Sequence, residues 1–309
     1  MIEIMNGGML SSIQDSGRFG VMRNGFTQGG AMDSYSMKLA NKLCSNDVNA
    51  PVIEMTMLGI TAKFIDEHIF ALSGGHFNAK LNNKPILTNK AYKADKGDIL
   101  SIGCAVSGMR CYLAIGGGFK VDKVMGSAST NIKLGIGGFE GRKLRCGDIL
   151  RTYEFKNSLS SIESHQLPEN EYGSDINIRV VLGPQDNMFT ETDLAFFTEQ
   201  QYTVTPNLDR MGIRLNGIAL HGKNGMDIIS DAITFGSVQI ARSGMPIILM
   251  ADHQTTGGYA KIATVISVDL PKLAQVKPYD KIHFSTVSVK EAERLAKKQK
   301  RFFEKLKFD

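Results

Sequence analysis

Met245-Pro-Ile-Ile-Leu-Met-Ala-Asp252-His253-Gln254-Thr255-Thr256-Gly257-Gly258-Tyr259-Ala-Lys261-Ile262 is the stretch from which the rest of the chain can be read. Ile247 to Met250 is an apolar run with the length and composition of a buried strand. It stops at five polar residues, Asp252 to Thr256, and Gly257-Gly258 then lets the backbone turn or approach a ligand closely. Ile262-Ala-Thr-Val-Ile266 reads as a second buried strand. The two read as a hairpin whose tip carries an acid, an amide, two hydroxyls, a phenol and an ammonium. A plain connection needs only two residues, so this tip reads as a site; the competing reading is a solvated loop.

Working outward, 309 residues suggest two domains. A hydrophobic fraction of 42% and a charged fraction of 22% are those of a soluble globular protein, and 32 glycines indicate many tight turns and hence β structure. The N-terminus has an acid at Glu3 and no apolar core of a leader, and no apolar run approaches the roughly 20 residues of a membrane helix. Cys44, Cys104, Cys111 and Cys146 lack metal-binding spacing and read as reduced thiols of a cytoplasmic protein, with no metal site. Of the net charge of +5, residues 290–309 alone carry +4, so no basic surface spreads over the fold and nucleic acid is excluded as a partner.

In chain order, Gln14, Asp15 and Arg18 cluster among glycines as a turn. Asp33 reads as the N-cap of a short amphipathic helix over 34–43, with Leu39, Ala40 and Leu43 on one face. Val52–Thr56 reads as a strand around an interior Glu54, a carboxylate that must be paired or functional. Ile69–Leu72 reads as a strand ending in a turn at Ser73-Gly74-Gly75. Lys96-Gly97-Asp98 and Cys146-Gly147-Asp148 are turns that feed strands, with an echo at Pro278-Tyr279-Asp280. Residues 157–175 lose periodicity and read as an interdomain linker. Beyond it, Ile176–Leu182 is a strand, a short helix falls around Phe189–Phe197, and Gln239 sits inside a β run where its amide needs partners. Ser288-Val-Lys-Glu291 is a capping box for a helix to about Lys307, with Leu295, Phe302 and Leu306 near one face. The divisions expected are 1–160, 176–287 and a C-terminal helix, 288–309.

Two motifs are set aside. Gly217 to Lys223 fits GxxxxGK, but Asn224 replaces the Mg²⁺-binding hydroxyl and the four intervening residues read as a strand. Met37-Lys38-Leu39 resembles a biotin attachment tripeptide but falls on a helix, so this chain carries no biotin itself.

Taken together, Ile13-Gln-Asp-Ser-Gly-Arg-Phe-Gly20, Gly30-Ala-Met-Asp33, Leu39-Ala-Asn41, Ile53-Glu54, Tyr112-Leu-Ala-Ile-Gly-Gly117, Gly126-Ser, Leu182-Gly-Pro-Gln185, Asp209-Arg-Met-Gly-Ile-Arg-Leu215 and Asp252-His-Gln-Thr-Thr-Gly-Gly-Tyr259 resemble the KipA / allophanate hydrolase subunit 2 family, carboxyltransferase-like proteins also known as the C subunits of 5-oxoprolinase. The resemblance runs from Gly8 to about Phe284. It implies a mainly β protein with two cyclophilin-like β-barrel domains, short helices and a C-terminal helix. It implies a KipI-type partner, like the B subunit of 5-oxoprolinase, and a larger protein like its A subunit, which together open 5-oxoproline to glutamate with ATP bound somewhere in the complex. Related modules carry a carboxyl group from biotin on another chain to urea. The sequence departs from the family at His253, where Arg is usual, at Ala260, Phe235 and Ala241, where Pro is usual, and at Ser230-Asp231, where a Glu-containing stretch is usual. Loss of Arg at 253 weakens anion binding at that position.

These readings give an ATP-dependent lactam hydrolase component, active only in a complex. Asp252, Tyr259, Lys261 and Arg210 are the catalytic candidates, and Asp33, Glu54, Gln239, Gln254, Thr255, Thr256, Gly257 and Gly258 the substrate-binding ones, all expected in one cleft. Asp252 would orient or deprotonate the attacking group and Tyr259 relay a proton; the amide and hydroxyls would bind the substrate amide, and Lys261 or Arg210 would meet developing charge. The alternatives are a carboxyltransferase for urea or another amide, and a non-catalytic partner that regulates a KipI-like kinase inhibitor.

Overall fold

The computed structural model describes residues 1–155 and 165–308. The chain divides into two compact units, one of Met1–Phe19, Gly29–Tyr172 and Phe303–Asp309, the other of Gly20–Gln28 and Gly173–Phe302. Among the described residues, no helix is long and apolar enough to cross a membrane.

The first unit is a nine-stranded sheet curved into a half-barrel. Its strands are β1 (Ile2–Asn6), β2 (Leu10–Gln14), β3 (Val52–Thr56), β4 (Thr61–Phe64), β5 (His68–Leu81), β6 (Lys84–Pro85), β7 (Lys90–Ala94), β8 (Ile99–Ile115) and β9 (Ile149–Leu150). They run in the order β2-β3-β8-β4-β1-β9, with β5 pairing β6, β7 and β8. The two long strands carry the unit. In β8, burial alternates over its first half and becomes continuous from Gly108 onward. Cys111, Leu113 and Ile115 enter one core and Tyr112 and Ala114 another, because both faces of the sheet are covered there. Helix α1 (Ser34–Leu43) covers the second face, burying Met37, Leu39, Ala40 and Leu43. Asp33 caps it, accepting from Ser36 N at 2.8 Å.

β5 does not end at Ser73-Gly74-Gly75 as its composition predicts. It continues to Leu81 through a bulge at Gly74, where φ is +106° and a Cβ would lie 2.6 Å from the Arg110 carbonyl oxygen. Of the linker read over 157–175, residues 157–164 lie outside the described residues. Residues 165–172 are tied to the first unit, with Ala91 N donating to His165 O at 2.9 Å and Leu167 N to Asn89 O at 2.8 Å.

The second unit is a closed barrel, β10-β17-β14-β15-β12-β11-β18. Its members are β10 (Asp175–Leu182), β11 (Tyr202–Leu208), β12 (Gly212–Asn216), β14 (Ser237–Ile240), β15 (Pro246–Leu249), β17 (Lys261–Val265) and β18 (Lys281–Thr286); β13 (Asp227–Ala232) and β16 (Thr256–Tyr259) form a separate two-stranded ribbon. The seam is parallel, β10 against β18, from Asp175↔Lys281 to Val180↔Thr286. Helix α2 (Glu191–Glu199) opens on a capping box of Thr190 and Asp193 and stacks Phe197 on Phe284 with ring centroids 4.6 Å apart. Helices α3 (Leu270–Leu273) and α4 (Val289–Lys305) are the remaining α-helices among the described residues.

Two further expectations change here. β15 and β17 are both core strands, but they do not form a hairpin: β14 pairs with each of them and lies between. In α4, Phe303 is the buried aromatic while Phe302 is exposed, one residue from the face read in the sequence. Phe303 meets Tyr35 edge-on at 5.1 Å in the first unit.

Candidate functional site

The register of the barrel wall puts Arg214 opposite Ile247, Ile247 opposite Gln239 and Gln239 opposite Lys261. Directly paired residues of neighbouring strands project to the same side. Arg214, Ile247, Gln239 and Lys261 therefore form one row on one face of the wall, on β12, β15, β14 and β17. The β13–β16 ribbon crosses the Gln239–Lys261 end of this row. Gln239 Nε2 donates to Tyr259 O at 3.1 Å. Lys261 Nζ donates to the Ala232 carbonyl at 2.7 Å and to the Asp231 carboxylate. Gln239 and Lys261 are thus buried although they stand outside the barrel core.

Beside the ribbon the row opens into a cleft of about 540 Å³, lined by Asn207, Asp209, Arg214, Gln239, Gln254 and Tyr259 among others. Gly257 is required by close approach: a Cβ there would lie 2.5 Å from Ile233 Cδ1 and 2.9 Å from Gln239 Nε2. Asp252 and Arg210 anchor the turn that presents Gln254. Arg210 Nε and Nη2 bind Asp252 Oδ2 and Oδ1 at 2.8 and 3.0 Å, a two-pronged pair. Asp252 N also donates to Arg210 O at 2.7 Å. With both oxygens so engaged, Asp252 can act as a base only by giving up part of that pair.

His253 is fully buried, with Nδ1 2.6 Å from Gln254 O, so Nδ1 carries the proton and donates. Nε2 has no hydrogen-bond partner, and burial lowers the pKa of the ring. A neutral histidine thus lies inside the turn. Thr255 O accepts from Ile233 N at 3.0 Å, and Thr256 and Gly257 pair with Ala232 and Asp231, so these residues shape the ribbon. Gly258 stands between Gly257 and Tyr259 on the same strand. The Lys261 ammonium beside Asp231 holds that carboxyl below its usual range.

Asp33 and Glu54 belong to the first unit. Both are buried there in one network: Asp33 N donates to Tyr112 Oη, and Tyr112 Oη and Met32 N donate to Glu54 Oε2, all at 2.8 Å. Sequence reading missed Asn207, Asp209, Arg214, Gln185 and Asp231. Gln185 Oε1 accepts from Lys261 N at 3.2 Å and so packs the Gly183-Pro184-Gln185 loop on β17. Arg214 stands in the Asp209–Leu215 family motif, and its alternation with buried Ile213 and Leu215 turns it outward from the barrel.

No three His, Cys, Asp or Glu side chains come close enough to hold a metal among the described residues. Gly217–Asn224 is irregular rather than the strand expected, and it leads into β13, not into a helix, so it does not offer the phosphate cradle of a GxxxxGK loop.

Comparison with known families decides the relationship. The profile of the carboxyltransferase domain, subdomain A and B, matches residues 24–286. The chain belongs to this carboxyltransferase-domain family. Among its relatives, the 5-oxoprolinase C subunit of Haemophilus influenzae is 38% identical over 99% of this chain and 98% of its own length. The 5-oxoprolinase C subunit of Escherichia coli is 37% identical over 99% and 97%. The crystal structure of urea amidolyase from K. lactis superimposes with a TM-score of 0.89 at 31% identity, covering 100% of this chain and 20% of that one. The Kluyveromyces lactis urea carboxylase structure gives a TM-score of 0.87 at 30% identity, over 99% of this chain and 29% of that one.

Proposed function

We propose that this chain is the C-type component of a cytoplasmic, ATP-dependent 5-oxoprolinase, acting with a KipI-type, B-like partner and a larger A-like protein to open 5-oxoproline to glutamate. One observation carries the reading. The chain matches two bacterial 5-oxoprolinase C subunits over 98% and 97% of their length, whereas it covers 17% of the urea amidolyase of Lachancea kluyveri.

The site chemistry is consistent with an amide substrate. Gln239 and Gln254 offer both donor and acceptor to an N–C=O group, and Tyr259 offers a hydroxyl that can pass a proton. Fixed donors around a carbonyl stabilise the negative charge that develops when it is attacked. Arg210 and Asp252, bound to each other, hold the turn behind Gln254; Lys261 with Asp231 holds the ribbon that carries Tyr259. ATP belongs to the complex in this reading, and Gly217–Asn224, without a phosphate cradle, gives no support to its binding on this chain.

Reconstitution with the proteins encoded beside it, followed by an assay of 5-oxoproline against urea with and without ATP, tests this. ATP-dependent release of glutamate that disappears without this chain is the expected outcome. The likeness to urea amidolyase and urea carboxylase supports a second reading, transfer of a carboxyl group from biotin on another chain to urea or a related amide. Urea-dependent turnover that requires a biotinylated partner would establish it instead.

A further inference from the structure

The two cations expected to meet substrate charge are both committed: Arg210 to Asp252, and Lys261 to Asp231. Arg214 is not. It lines the same cleft as Gln239, Gln254 and Tyr259, its residue is exposed, and it has neither an ion pair nor a side-chain hydrogen bond among the described residues. Its backbone is nevertheless fixed. β12 pairs with β11 on one side and β15 on the other, and Arg214 O accepts from Thr205 Oγ1 at 3.0 Å. The result is a guanidinium on a rigid strand with all its donors facing solvent or ligand.

Arg214 and Gln239 are separated in their row by Ile247 alone, a span of about 10 Å between Cα atoms for two inter-strand spacings. A long side chain covers much of that gap, leaving room for a small ring. The other charge on the cleft wall is Asp209, whose Oδ1 is tied into its own hairpin by Met211 N at 2.7 Å and Gly212 N at 3.0 Å. An anion is repelled from that end and drawn to Arg214.

We propose that Arg214 anchors a carboxylate on the substrate while Gln239 and its neighbours take the amide. The ligand class is therefore a small amide or lactam that bears a carboxylate, as opposed to a neutral amide such as urea. This rests on the amide-hydrolase reading above and narrows it.

The test uses the reconstituted complex and two probes, 5-oxoproline and 2-pyrrolidinone, the same lactam without the carboxylate. Wild type should prefer 5-oxoproline in equilibrium binding by about 10- to 100-fold, the range of a charge-assisted hydrogen bond. Arg214→Gln should remove that preference, raising KM for 5-oxoproline with kcat little changed, and Arg214→Lys should restore part of it. A preference that survives in Arg214→Gln overturns the anchor and leaves the lactam reading standing. If wild type binds neither lactam, the lactam reading falls and acetate becomes the probe. Acetate binding that Arg214→Gln abolishes retains the anchor, and no such binding overturns it.

Discussion

Arg210 and Asp252 are joined twice, through a two-pronged ion pair and through a backbone hydrogen bond of 2.7 Å from Asp252 N to Arg210 O. The side chains are only 9% and 15% exposed, so removing one partner strands a charge with little water to receive it.

Asp252→Ala is therefore expected to destabilise the protein by about 3–5 kcal/mol, and Arg210→Met by a similar amount. The double variant Arg210→Met/Asp252→Leu should recover most of that loss while staying inactive in the complex. Urea denaturation of the three variants beside the activity assay checks both statements.

The two glycines of the ribbon should behave differently. A Cβ at Gly257 meets the ends of the Ile233 and Gln239 side chains, which can yield, but the Gln239 amide then leaves its place in the cleft. Gly257→Ala should lose at least about tenfold in activity for about 1–2 kcal/mol of stability. At Gly258 the nearest atom is Ile228 O at 3.4 Å, so Gly258→Ala should resemble wild type in both assays.

His68 gives a pH signature. Its Nε2 lies 2.7 Å from the N-terminal ammonium, and burial together with that charge pushes its pKa down to about 4. Below about pH 6.5 the unfolded chain binds a proton that the folded protein refuses. Stability should then fall as pH drops from about 6.5 and level off near 4. The loss should be on the order of 2–3 kcal/mol and be absent from His68→Phe, as read from urea midpoints across that range.

Three turns share one geometry, in which Asp98, Asp148 and Asp280 accept from the backbone N–H three residues earlier, at 2.9, 2.8 and 2.8 Å. The residue before the Asp is left-handed in each: Gly97 at φ +96°, Gly147 at +89° and Tyr279 at +75°. Tyr279 is 71% exposed and buries little in return for that conformation. Tyr279→Gly should raise the melting temperature, by the equivalent of about 0.5–1 kcal/mol.

The sequence was legible wherever the decisive partner was local. The Asp33 cap, the 34–43 helix, the Val52–Thr56 strand and the Ser288 cap each depend on residues a few positions apart, and each stands where it was read, with Glu291 N 3.2 Å from Ser288 Oγ. The supposed hairpin failed because the strand that separates its two arms, Ser237–Ile240, comes earlier in the chain, and apolar runs do not announce whom they pair with. The end assigned to β5 failed because glycine serves a bulge as readily as a turn. The tip residues were recognised as polar, but their division into cleft wall, ion pair and ribbon depends on side-chain contacts across strands. Arg214 went unmarked because, as sequence, it is an ordinary outward residue in an alternating strand.

The parallel seam of the barrel has a bearing on how the protein is made. Its first strand, beginning at Asp175, cannot close on its last until Thr286 has left the ribosome. The first unit also waits, since Phe303, Leu306 and Phe308 complete the apolar layer over α1. Both halves thus finish only once these late residues have emerged, and a chain stalled short of residue 303 would present unfinished apolar surface to chaperones and proteases.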